Sequence, residues 1–240
     1  MVRTVFQPFE EAAFTAFSVK ADGEKDRAAR GNLLEGLMRL VWLTALAAAA
    51  FGRSYSYVTL RVLYGAKWAD TDAPTLLAYY AVYVVALAMN GLTEAFVHAS
   101  AGPEQLRRIN VWLVAFSVVF VAANVLCVRA FGTLGLVLAG CVSMAARTVY
   151  SLAFIRAHFR GKHFSLARSL PSAQVVAACA TLALCARASE ATFLSTFDAR
   201  GALLHLGVAV MLVGAMGACV FVFERHHLAA LRRSVATKRD

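Results

Sequence analysis

The sequence predicts an all-α polytopic membrane protein, a bundle of six to seven helices, and three observations carry that reading. Hydrophobic residues make up 60% of the 240-residue chain and charged residues 16%, against roughly 45–50% and 25% in an average soluble domain. The mean hydropathy of +0.64 is too high for one water-soluble core. The apolar residues also gather into stretches of about 20, the length a helix needs to cross some 30 Å of hydrocarbon.

The opening stretch, VRTVFQPFEEAAFTAFS, is the weakest span. Its residues 4–18 reach only about 22 Å at 1.5 Å per residue. A helix so short, opening beside Met1, leads us to expect a missing upstream part, so the chain reads as the C-terminal portion of a larger transporter, or a fragment. A basic loop is expected over 20–32, then four membrane helices over 33–155, with apolar runs at 33–51, 74–98, 111–128 and 131–155. A second basic loop covers 156–169, two more helices fill 170–223 (runs at 170–186 and 203–223), and 224–240 reads as a basic tail. Pro74 and Pro171 stand at expected first turns, where a missing N–H costs nothing.

A net charge of +10 would suggest nucleic acid for a soluble protein, but in a membrane protein it reflects basic cytosolic loops, and no nucleic acid is expected. If the spans alternate across the bilayer, 15 basic residues fall on one side and seven on the other. The side with the Lys/Arg excess, which includes the C-terminus, is expected in the cytosol. Tyr55, Tyr57, Tyr64, Trp68 and Tyr79 then flank the opposite interface as an aromatic belt. Cys127, Cys141, Cys179, Cys185 and Cys219 lie in apolar runs without metal-ligand or disulfide spacing and read as packing residues. No metal and no cofactor is expected. The paired glutamates interrupt any cleavable signal peptide.

Those glutamates need an explanation. An ionisable group mid-span costs about 2.5–3.5 kcal/mol on insertion scales, against about 0.3–0.6 gained per Leu, Ile, Phe or Val. The first helix should therefore insert poorly without neighbours or water on one side. Arg3, Gln7, Glu10 and Glu11 fall at i, i+4, i+7 and i+8, one helical face, and Pro8 removes a helical hydrogen bond and favours a hinge. Further on, Glu35 and Arg39 are an i,i+4 pair. Asn90, Thr93 and Glu94 share a face beside Gly91, and Arg147 lies inside the fifth segment between Ser143 and Ser151. Such stripes fit a polar cavity enclosed by the bundle. Two plainer readings stand beside it. Arg39 and Glu94 can snorkel to the interface, and Asn90 with Gly91 can be helix–helix glue. The six histidines carry no site, since His98 and His205 sit near span ends without a second ligand at useful spacing.

Catalysis is not expected. Intramembrane prenyl-protein peptidases use Glu-Glu-x-x-x-Arg with helical histidines. Here the arginine position is Thr15 and no histidine sits mid-span.

The motifs VRTVFQPFEE, FGRSYS, LYGAKW and APTLLAYYAVYVVALAMNGLTEAF resemble the eukaryotic family named for translocating dolichol-diphosphate-linked Man5GlcNAc2, within the multidrug/oligosaccharidyl-lipid/polysaccharide exporter superfamily. The likeness runs from Val2 to about Ile155 and is mainly hydropathy beyond Arg156. It implies the C-terminal lobe of a two-lobed flippase in the endoplasmic reticulum, partnered by a missing N-terminal lobe, ER membrane lipids and the lipid-linked oligosaccharide. The cavity candidates it leaves for substrate are Arg3, Gln7, Glu10, Glu11, Arg39, Asn90, Glu94 and Arg147, with arginine on the diphosphate and Pro8 as hinge. The alternatives are a non-transporting accessory protein of N-glycosylation, or an ion-coupled small-molecule exporter of the same fold.

Overall fold

The structure, a computed structural model, describes residues 2–18, 23–160, 162–194 and 197–236, with side chains from Glu10 onward except at 228 and 230–236. The described residues are 91% helical and contain no strand. The helices are α1 (Val2–Ser18), α2 (Glu24–Tyr64), α3 (Ala66–Ala69), α4 (Ala73–Ser100), α5 (Pro103–Phe131), α6 (Thr133–Phe159), α7 (Leu166–Ser169), α8 (Ala173–Phe193) and α9 (Ala199–Ala236). Among the described residues, six (α2, α4, α5, α6, α8 and α9) are long and apolar enough to cross a membrane. The chain is an all-α, multi-pass membrane protein.

Several boundaries differ from the sequence reading. The expected loop at 20–32 is helical from Glu24, and α2 runs on for 41 residues. At about 62 Å it is about twice the roughly 30 Å of hydrocarbon, and its first turn carries Glu24 and Asp26. The expected tail at 224–240 continues α9 to Ala236. Pro74 sits in the first turn of α4 as expected, but Pro171 stands ahead of α8, whose N-cap is Ser172. The 17-residue α1 is not among the membrane-crossing helices, being shorter than a span of 18 residues.

Two compact units divide the chain: 1–41, 83–170 and 230–240 form the first, 42–82 and 171–229 the second. In the first, α5 and α6 make a hairpin closed by Gly132, which caps both helices at φ 60°, ψ −140°. That conformation belongs to glycine. No residue of the most apolar stretch of α5 is buried, and Val111, Val114, Val118 and Val121 stand exposed along it. The core lies where α1, α2, α4 and α6 meet: Phe17, Leu34, Met38, Leu92, Phe96 and Ile155 are almost wholly buried.

The second unit is tied by polar groups. His205 on α9 is fully buried, its Nε2 3.0 Å from the Ser54 carbonyl and its Nδ1 2.8 Å from the Ser189 hydroxyl. A carbonyl only accepts, so Nε2 carries the proton and, in the neutral ring, the serine donates to Nδ1. Tyr55 stacks on the ring at 4.3 Å. Glu224, also fully buried, accepts the Ser172 N–H at the N-terminus of α8 (2.8 Å), where a carboxylate meets the positive end of the helix dipole. At the end of α2, Asp70 accepts from Tyr57 (3.0 Å) and Arg61 (2.8 Å), fixing the turn that follows α3.

Candidate functional site

In the first unit, α1 and α4 face each other across an open cleft of about 500 Å³. The α1 wall is Glu10, Glu11, Phe14 and Thr15, and the α4 wall is Gly91, Glu94, Ala95 and His98. Both sets follow from helical spacing, since residues three and four apart share a face. Glu10 lies directly over Gly91, where a β-carbon would overlap its carboxylate. Glycine is the only residue that lets the glutamate lie this close to α4.

Glu94 is gripped from α6. Arg147 donates Nε–H to Glu94 Oε1 and Nη2–H to Oε2, both at 2.9 Å, and the two side chains keep 27% and 20% of their exposure. The parallel pair of bonds is the geometry a guanidinium forms with a carboxylate or a phosphate. Three carboxylates and one histidine therefore line the cleft, and one of the carboxylates, Glu94, holds Arg147 beside it. Asn90, one turn before Glu94, is buried, and its Oδ1 has no hydrogen-bond partner. Its neighbour Thr93 is satisfied by the Met89 and Asn90 carbonyls.

Of the residues singled out in the sequence, Glu10, Glu11, Glu94 and Arg147 come together here. Arg39 does not line this cleft. It is buried on α2 and donates to the carbonyls of Arg168 (2.9 Å) and Leu170 (2.6 Å), while Glu35 accepts from Ser165 N–H (2.6 Å) and pairs with Arg168 (3.1 Å). This i,i+4 couple fastens the connector around α7 through the Ser165 N–H and the Arg168 and Leu170 carbonyls. The side chains of Arg3, Gln7 and Pro8 lie outside the described residues, although α1 continues through all three positions.

Two contributors escaped the sequence reading. His98 had a visible signal, because it stands four residues after Glu94 on the same face. Arg30 had none, because it was hidden in a basic stretch. It donates to the Phe17 carbonyl at the end of α1 and to the Ser100 hydroxyl (2.9 Å) at the end of α4, and so pins the two cleft walls to each other. Among the described residues, no three His, Cys, Asp or Glu side chains are gathered to hold a metal.

A model of the Rft protein family matches residues 1–234. The chain belongs to this family. Rft relatives include the Man(5)GlcNAc(2)-PP-dolichol translocation protein RFT1 of Mus musculus, 30% identical over 248 residues, which span all of this chain and 46% of the relative. The same-named proteins of Xenopus tropicalis (31% identical, 95% of this chain, 45% of the relative) and Schizosaccharomyces pombe (32%, 71% and 33%) also match. The chain thus spans about half the length of the Rft relatives it matches most fully. No solved structure matches it.

The glycine under Glu10 gives a clean test of the cleft. In Gly91→Ala the β-carbon must push the Glu10 carboxylate off α4. Because only the end of a flexible side chain has to move, stability should hold or rise by up to about 1 kcal/mol from helix propensity. Thermal melting of the purified variant should show intact folding, and if the cleft carries the function proposed below, glycosylation in cells that rely on the variant should fall. Unchanged glycosylation would remove Glu10 from the site.

Proposed function

We propose that this chain is the C-terminal lobe of a translocator that carries a dolichol-diphosphate-linked oligosaccharide across the endoplasmic reticulum membrane, for protein N-glycosylation. The observation that carries this reading is the Glu94–Arg147 pair at a carboxylate-lined cleft in a family whose relatives are named for that translocation. A diphosphate–glycan headgroup cannot enter hydrocarbon unaided, because each desolvated polar group costs several kcal/mol. An open polar cleft on a lipid-embedded bundle gives it a path while the tail stays in the acyl chains. Glu10 and Glu11 accept sugar hydroxyls. Arg147 exchanges Glu94 for the diphosphate, which makes the same bidentate bonds. The step is non-catalytic, since no bond of the lipid is made or broken, and a second, N-terminal lobe closes the cleft from the other side.

One observation favours the accessory reading, in which the protein assists glycosylation without carrying the lipid: the cleft arginine is already engaged by a carboxylate. Reconstitution of the full-length protein with labelled Man5GlcNAc2-diphosphate-dolichol separates the two. Headgroup transfer that requires Arg147 supports the translocator, and binding without transfer supports the accessory role. In cells, charge reversal at Glu10 or Glu11 should impair glycosylation far more than Phe221→Ala on the exposed, lipid-facing surface of α9. Equal effects at normal expression would count against the cleft.

A further inference from the structure

A second cleft, of about 410 Å³, lies wholly within the second unit, between the latter half of α2, the first turns of α4 and the end of α8. Its polar lining is Arg53, Tyr57, Thr75, Tyr79, Arg187 and Glu190. By the loop-charge count this end of the bundle faces away from the basic loops, where only seven Lys and Arg fall, and two of those seven share this cleft.

Their state separates them from the structural arginine nearby. Arg61, two turns beyond Arg53 on the same helix, is paired with Asp70 at 2.8 Å and lies 4.8 Å over the Phe197 ring. Arg53 and Arg187 are exposed. Among the described residues neither donates a hydrogen bond or forms an ion pair within 4.0 Å, not even with Glu190 of the same cleft. Arginines kept to hold the fold together are normally spent on carboxylates or carbonyls, as Arg39, Arg61 and Arg147 are. Two guanidinium forks left open at a membrane interface match the oxygens of a phosphate. The rest of the lining favours hydroxyls. Glu190 accepts them, Thr75 donates and accepts, and Tyr57, its hydroxyl fixed by Asp70, and Tyr79 add aromatic rings to the lining, a surface suited to a sugar or polyol. Simple anionic phosphate has no use for Glu190 and is repelled by it.

We propose that this cleft binds a lipid headgroup carrying both phosphate and several hydroxyls, with Arg53 and Arg187 on the phosphate and Glu190 on the hydroxyls. A glycosyl-diphosphate polyprenol and an inositol phospholipid share this chemistry. The inference goes beyond the translocation reading and needs only that the protein lies in a membrane.

Native mass spectrometry of the purified chain in phosphatidylcholine nanodiscs tests it, with dolichyl-diphosphate chitobiose, phosphatidylinositol or phosphatidic acid added in turn. At least one hydroxylated lipid should bind about tenfold more tightly than phosphatidic acid. Arg53→Gln with Arg187→Gln should lower that affinity roughly ten- to a hundredfold, the loss of charged hydrogen bonds, and Arg61→Gln should leave it unchanged. Arg53→Lys with Arg187→Lys keeps the charge and guards against misfolding; it should bind several-fold more weakly than the wild type because the fork is lost. Preference for the chitobiose compound assigns the glycan lipid, and preference for phosphatidylinositol assigns a bilayer lipid. Equal binding of phosphatidic acid, unchanged affinity in both double variants, or an equal loss in Arg61→Gln overturns the proposal.

Discussion

Arg147→Glu should cost about 3 kcal/mol of stability and, on the proposed function, abolish glycosylation in cells that rely on the variant. The substitution leaves two carboxylates facing each other where the wild type has a bidentate ion pair. Removing one partner of a buried pair costs about 3–5 kcal/mol, and the partial exposure of both side chains puts this pair at the lower end. Glu94→Arg should be equally damaging, and the swapped double variant should recover most of the stability, which a double-mutant cycle reads directly as coupling. A second double variant, Glu94→Met with Arg147→Met, separates scaffold from mechanism. An apolar pair of similar volume is often neutral or better for stability, so this protein should melt near the wild type. If the arginine trades its carboxylate for a diphosphate, the double-methionine variant should nevertheless be inactive in cells. A stable and active double-methionine protein would reduce the pair to structural glue.

The sequence showed the helical membrane bundle because hydropathy over 20 residues is a local property. It showed Glu10 and Glu11 because spacing along one helix fixes a face. Partner identity was not local. Which acid Arg147 would meet depended on how α4 and α6 pack, and Glu94 could not be told from the other carboxylates by pattern alone. Arg39 and Glu35 read as an intrahelical couple with a possible cavity role because i,i+4 spacing favours that pairing, yet the backbone around α7 takes up both. His205 and Glu224 were missed for a related reason. A lone polar residue near a span end reads as interfacial, and its burial is set by helices distant in sequence, as the 151-residue separation between Ser54 and His205 shows.

Phe96→Ala should produce the largest loss of stability of any single truncation in the first unit, and it should act at a distance on the cleft. The ring is fully buried on α4. Phe17 of α1 meets it at 5.1 Å and 70°, Phe159 of α6 lies at 5.3 Å, and the Arg30 guanidinium sits 5.6 Å over its face. Phe→Ala in a core costs about 3–5 kcal/mol, and each aromatic pair adds about 0.5–1.5 beyond area. Phe96→Leu keeps most of the volume and should cost less than about 1.5 kcal/mol. The effect should also be uneven. With its polar stripe, α1 gains little from the bilayer and is held mainly by Phe17 against Phe96 and by the Arg30 cap on the Phe17 carbonyl. Hydrogen exchange should therefore rise first in α1, exposing Glu10 and Glu11, while α8 and the buried His205 network keep their protection. A uniform rise across both units would mean that the first helix is fixed by something other than this aromatic contact. The cleft would then not depend on Phe96 for its shape.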